Sequence, residues 1–208
     1  MLEIKDIKVC NWENAIRGMR HPLESYDRSD SIFCDIFKLG ENDKKLMKKL
    51  IKSGSDHRKF MRQILVSFDI TAPLYWWKEM DTYKIGTVSN STSSMHTIHK
   101  KCVTDELFSL EDTIGVLSES DAKIVYDFLK VLETLRFDFN TTNNKKYWKA
   151  LIQLLPSSLN QTRMVTLNYE VLLNMYNSRK DHKLSEWHTF CDVILTLPYF
   201  KELIGVDE

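Results

Sequence analysis

Residues 63–77, QILVSFDITAPLYWW, constrain the fold more than any other stretch of the chain. Phe68-Asp69-Ile70-Thr71 alternates apolar and polar side chains, which is the period of a half-buried strand, and predicts a strand over 63–71. Pro73 ends it, because a proline has no N–H to give to a ladder. The same ring presets φ for a first helical turn, so a helix carrying Leu74, Tyr75, Trp76 and Trp77 starts there. A strand that runs straight into an aromatic-rich helix points to an α+β fold.

The remaining segments are mostly helical. Residues 2–10 alternate and read as a strand. A helix follows over 11–21, with Asn11 as a cap and Glu13 in its first turn, stopping before Pro22. Residues 24–31 form a polar connection. The next helix covers 40–55, starts at Asn42 or Asp43, carries Leu46, Met47, Leu50 and Ile51 as its apolar stripe, and ends at Gly54. Residues 110–137 are strongly helical, with Ser118 and Ser120 as candidate caps. A loop is expected over 140–144 and a helix over 145–156, ended by Pro156. Further helices are expected over 163–180 and 184–197. There is no internal repeat, and the whole chain, 1–208, reads as one helix-rich α+β domain.

Composition narrows the classes. Hydrophobic residues make up 43% and charged residues 28% of 208, enough for a sizeable core without staples. Lys plus Arg equals Asp plus Glu, 29 each, so non-specific nucleic-acid binding is not favoured. The four cysteines are scattered without a CxxC, and no apolar leader or 18-residue apolar window occurs. These features lead to the expectation of a cytoplasmic protein with reduced thiols and no membrane partner.

Chemistry-bearing patterns are sparse. With six glycines in all, a glycine-rich phosphate loop is effectively excluded. His96, His99 and Cys102 have an HxxHxxC spacing that could meet zinc, but no fourth ligand group accompanies them, so they read as polar residues of a helix face. His57-Arg58-Lys59 with Arg62 is either a solvated strand entry or a phosphate partner. Asn168, Asn174 and Arg179 would be spread around one helix, not aligned on a stripe. Thr87 to Ser94 holds six Ser or Thr in eight residues, and such runs are usually loops.

Three stretches taken together carry a resemblance. The first is His57 with Phe68-Asp-Ile-Thr-Ala-Pro73 and Trp76-Trp77. The second is Thr82-Tyr83-Lys84-Ile-Gly-Thr87-Val-Ser89-Asn90-Ser-Thr92-Ser-Ser94. The third is Leu155-Pro156, Thr166-Leu-Asn168-Tyr-Glu170, Asn174 and Ser178-Arg179. Their order, over roughly residues 50–190, resembles the flavin-dependent thymidylate synthase family (ThyX), and in particular divergent members of the kind found in phages and Gram-positive bacteria. The resemblance implies a helix-rich α+β domain with a small, mostly antiparallel sheet, assembled as a homotetramer with sites built from several subunits. It also implies FAD as hydride carrier, methylenetetrahydrofolate as carbon donor, NADPH as reductant and dUMP as acceptor. Carried over position by position, Arg179 would contact the uracil ring. His57, Lys84, Asn168 and Asn174 would serve the cofactor. Glu79, Thr82, Tyr83, Thr87, Ser89, Asn90, Thr92 and Ser94 would line the nucleotide.

The departures matter as much. Lys84 keeps a cation, and Thr87 and Thr92 keep hydroxyls. Thr82 and Ser94 replace arginines, Tyr83 a histidine, Glu79 a glutamine and Glu170 another arginine; Ser89 and Asn90 stand for an Asn-Glu pair. Each lost arginine removes a bidentate, charge-assisted phosphate partner. Three readings follow: an enzyme acting on dUMP or a related pyrimidine nucleotide, a nucleotide-binding protein without turnover, and an assembly protein that keeps only the fold.

Overall fold

The computed structural model describes residues 2–34 and 36–206. Its strands are β1 (Glu3–Cys10), β2 (Leu65–Pro73), β3 (Val88–Ser91) and β4 (Asn160–Asn168), in the sheet order β1-β2-β4-β3. The helices before β4 are α1 (Trp12–Arg20), α2 (Glu41–Lys52), α3 (Leu74–Met80), α4 (Ser94–Thr97), α5 (Glu111–Val116), α6 (Glu119–Thr142) and α7 (Lys145–Leu154). Those after it are α8 (Tyr169–Arg179), α9 (Ser185–Leu195) and α10 (Phe200–Ile204). The fold is therefore helix-rich α+β with one small four-stranded antiparallel sheet.

The junction at Pro73 forms as its residues dictate: β2 ends on Pro73 and α3 begins at Leu74. Four differences from the sequence pattern stand out. Residues 160–168 form β4, not the start of a long helix, and the helix begins only at Tyr169, where the Asn168 side chain caps it. The Ser/Thr run is in part a strand, β3, at the sheet edge. The 110–137 helix is two helices, since Leu117 is extended (φ −82°, ψ 150°) and the Ser118 hydroxyl accepts from the Asp121 N–H to start α6 afresh. Helix α6 also runs through Asn140, Thr141 and Thr142. The two threonine hydroxyls donate back to the carbonyls of Phe137 and Asp138, and left-handed Asn143 (φ 54°) ends the helix.

The chain divides into two compact units, neither continuous in sequence. The first holds 1–3, 70–82 and 90–163. Its core gathers Ile98, Val103, Phe108, Leu129, Leu132, Leu151 and Leu159, contributed largely by α6, α7 and the segment before them. Trp76 and Trp77 are fully buried there, their rings edge to face at 5.0 Å.

The second unit holds 4–69, 83–89 and 164–208. Aromatic rings build its core. Trp12 stacks on Phe37 at 4.8 Å and meets Tyr169 and Tyr199 edge-on. Trp187 and Phe190 meet at 5.6 Å, and Phe190 meets Phe68 at 6.2 Å. Such pairs add about 0.5–1.5 kcal/mol each beyond the burial of their area. All four strands contribute residues to both units.

Candidate functional site

Within the second unit, the two ends of α8 organise the residues that the sequence singles out. At its N-terminus the Asn168 Oδ1 accepts from the backbone N–H of Glu170 and of Val171, both at 3.1 Å. That is the N-cap role an asparagine performs best, satisfying two donors that the helix leaves unpaired. Gly86 lies against this cap at φ 75°, and a Cβ on it would stand 2.9 Å from Asn168 Nδ2 and 3.2 Å from Val171 Cγ2. Only glycine fits that close approach.

Glu170 is 8% exposed, yet charged. Arg58 donates from Nε to its Oε1 at 3.1 Å, and Arg62 to its Oε2. Burial alone would raise this carboxyl. The hydrogen bonds and charges of Arg62 and Arg58 outweigh burial and hold it below the usual carboxylate range. The acid that stands where the resemblance has an arginine is thus neutralised by two arginines from the segment that precedes β2.

At the other end of α8, Arg179 donates from Nε to the Tyr83 hydroxyl at 2.9 Å. Its guanidinium lies 4.8 Å from the centre of the Trp187 ring and 5.6 Å from that of Tyr83. Tyr83 and Trp187 are themselves 6.2 Å apart, and the His182 ring meets Trp187 at 6.3 Å. A guanidinium over an indole gains about 0.5–2 kcal/mol, more as water is excluded. The planar donor fork is thereby held in one orientation, which suits it to planar acceptor groups. Lys84 is exposed and forms no ion pair among the described residues. The Thr87 Oγ1 is buried and makes no hydrogen bond. Asn174 is exposed on α8, and His57 is exposed in the turn before the short 3-10 helix Lys59–Arg62.

The first unit carries the other candidates. The Thr92 N–H and hydroxyl both donate to the Thr162 carbonyl, at 2.9 and 3.2 Å, while Gln161 Nε2 donates to the Thr92 carbonyl at 2.7 Å. This hydroxyl therefore serves the strand pairing. The Thr82 hydroxyl turns back to the Glu79 carbonyl at 2.7 Å. Asn90, like Ser89 before it, is an exposed residue of β3, and Ser94 opens α4. Arg163 lies 4.2 Å over the Trp77 ring and pairs with Asp81 at 2.7 Å.

The structure thus brings Tyr83 and Arg179 together, and Asn168 beside Gly86. It joins Lys84, Thr87 and Ser89 to these only through the same unit, and it gives Glu79, Thr82, Asn90, Thr92 and Ser94 to the other. Sequence reasoning missed Trp187 and Arg163. Neither has a local signature, since each matters through a residue 8 or more positions away. Among the described residues no group of three or more His, Cys, Asp or Glu is arranged to hold a metal ion; His99 instead packs its ring on Phe139 at 5.4 Å.

A flavin implied by the resemblance can be tested against these residues. Its phosphate oxygens need donors that are not already committed to carboxylates. Arg58, Arg62 and Arg163 are so committed. Lys84, exposed and outside any ion pair among the described residues, fits a phosphate.

The fold defined by this sheet and these helices is that of solved thymidylate synthase X structures. Two from Helicobacter pylori, each with FAD and dUMP, are similar. One has a TM-score of 0.72 at 18% identity, covering 99% of this chain and 98% of that one. The other has a TM-score of 0.71 at 19% identity, covering 98% of both. At such identities the likeness is one of fold. No protein-family model and no curated protein matches the sequence.

Proposed function

We propose that this chain binds a pyrimidine nucleotide, dUMP or a close relative, and belongs functionally with the flavin-dependent thymidylate synthases of the phage and Gram-positive type. The observation that carries the reading is the Arg179 guanidinium fixed between the Tyr83 hydroxyl and the Trp187 ring. A uracil edge presents planar carbonyl acceptors, which this donor fork matches. Thr87 and Ser89, from the same unit as Arg179, line the nucleotide, and Lys84 offers charge to the cofactor's phosphates. Asn168, Asn174 and His57 act on the cofactor side. Bound FAD supplies hydride chemistry, with NADPH as reductant and methylenetetrahydrofolate as carbon donor. What this chain supplies is orientation of the ring by Arg179 and charge for the cofactor's phosphates by Lys84. A homotetramer in the cytoplasm, with residues from several copies completing each site, belongs to the same reading.

A second reading is favoured by the commitment of Arg58, Arg62 and Arg163 to carboxylates. On it the protein holds the nucleotide without turning it over. Thermal shift with dUMP tests the shared part. Wild-type Tm should rise with dUMP concentration, and Arg179→Ala should weaken the apparent affinity by tenfold or more. No shift at millimolar dUMP, with a folded protein, sinks both readings. Complementation of a thymidine-requiring strain, together with a flavin absorbance band, then separates the enzyme from the binder.

A further inference from the structure

A cavity of about 480 Å³ lies within the first unit, between α6 and the segment 103–105. Small-molecule sites usually enclose about 300–1,000 Å³. No residue given above to the nucleotide or to the cofactor lines it. Val103 and Leu129, both buried, form an apolar floor, and the exposed Tyr126 ring joins them. Asp105 and Glu133 are the acids of the lining, and Lys130 is its cation.

Hydrogen bonds hold the two sides of this cavity together. Glu133 Oε2 accepts from the Val103 N–H and from Arg136 Nε, both at 2.7 Å, and its Oε1 accepts from Arg136 Nη2 at 2.5 Å. Arg136 Nη1 and Asn140 Nδ2 donate to the His99 carbonyl at 3.3 and 2.8 Å. The segment 99–103 is thereby pinned to α6, and the charge of Glu133 is matched by Arg136. Lys130 is matched in the same way, by Asp127 at 2.8 Å. Asp105 is exposed, accepts from the Glu106 N–H at 3.1 Å, and forms no ion pair among the described residues. The uncompensated charge of the lining is therefore a single carboxylate beside an aromatic ring and an apolar floor.

We propose that this cavity binds a small organic cation, a primary ammonium carried on a compact apolar or aromatic body. The ammonium is met by the Asp105 carboxylate and by the face of the Tyr126 ring, which attracts a cation through its quadrupole. Val103 and Leu129 receive the body, whose apolar surface leaves water on binding. An anion of the same shape is disfavoured, because it would face Asp105 and would have to draw Lys130 away from Asp127. The site stands on the geometry of the first unit and is independent of the role given to Arg179.

Phenethylamine, which joins one aromatic ring to a primary ammonium, is a suitable probe, titrated on the full chain by saturation-transfer NMR. Wild type should bind it, and added salt should weaken the binding. Asp105→Asn should weaken it tenfold or more while circular dichroism stays native, and Asp105→Glu should retain it. Tyr126→Ala should weaken it severalfold and Tyr126→Phe should not, because the ring face and not the hydroxyl meets the cation. Hydrocinnamate, with the same ring and the opposite charge, should not bind. Unchanged affinity in Asp105→Asn, equal binding of hydrocinnamate, or no binding at millimolar phenethylamine overturns the proposal. Loss of binding in Arg179→Ala also overturns it, because the probe would then report the other site.

Discussion

Glu170 concentrates the electrostatics of the second unit in one side chain. Removing it leaves Arg58 and Arg62 without their shared carboxylate beside the positive end of α8. Glu170→Ala should therefore cost about 1–3 kcal/mol of stability, the usual range for stripping a buried charged acceptor from its donors. A charge swap, Arg62→Glu with Glu170→Arg, should recover part of the loss. The pH dependence has a definite sign. Folding lowers the carboxyl of Glu170 from its ordinary 4.5 and that of Asp43 from 3.8, the latter because bonds from Ser31, Ser29 and Arg20 outweigh the cost of burial. Each is deprotonated more readily in the folded chain than in the unfolded one. Their contribution is complete above about pH 5 and disappears as acid carries the solution down through the folded values. Between pH 7 and pH 3 the Tm of wild type should fall further than that of Glu170→Gln; equal falls would contradict the assignment.

At the scale of elements, α6 gives Leu129 and Leu132 to the first unit's core. Leu132 is fully buried in it, and Leu132→Ala should cost about 2–5 kcal/mol in urea unfolding. Ser118 is exposed and acts only through its cap, so Ser118→Ala should cost about 1 kcal/mol. A larger loss at Ser118 than at Leu132 would mean that the helix start, and not the packed face, limits stability. The cap at Ser118 was legible in the sequence, because a cap is a local pattern. So was the β2–α3 junction, where alternation meets proline. Strand β4 was not, since Leu167, Val171 and Leu172 satisfy a helical stripe whether or not Leu167 is helical. Strand β3 was hidden differently: all four of its residues are exposed, so it has no buried face to leave a trace. The site shows the same division. Asn168, Tyr83 and Arg179 could be named from their places in a motif. The Tyr83–Arg179 bond spans 96 positions and the Arg62–Glu170 pair 108, and one sequence holds no record of such partnerships.

The whole molecule carries 29 basic and 29 acidic residues and so has no net charge at neutral pH. Long-range repulsion between copies is weakest there. Solubility in polyethylene glycol should pass through a minimum near pH 7 and rise toward pH 5 and pH 9; a minimum well away from neutrality would show that titrations shifted by the fold dominate. That balance also suits a chain proposed to assemble with itself.

Trp187 gives the molecule an optical property. An indole beneath a guanidinium emits in an environment set by that cation, and Arg179 sits 4.8 Å from its ring. Any molecule that draws Arg179 toward itself changes the light this one residue gives off, and the difference between wild type and Trp187→Phe isolates that signal from the other tryptophans. The protein therefore contains its own label, placed where occupancy would be read without dye, isotope or coupled assay.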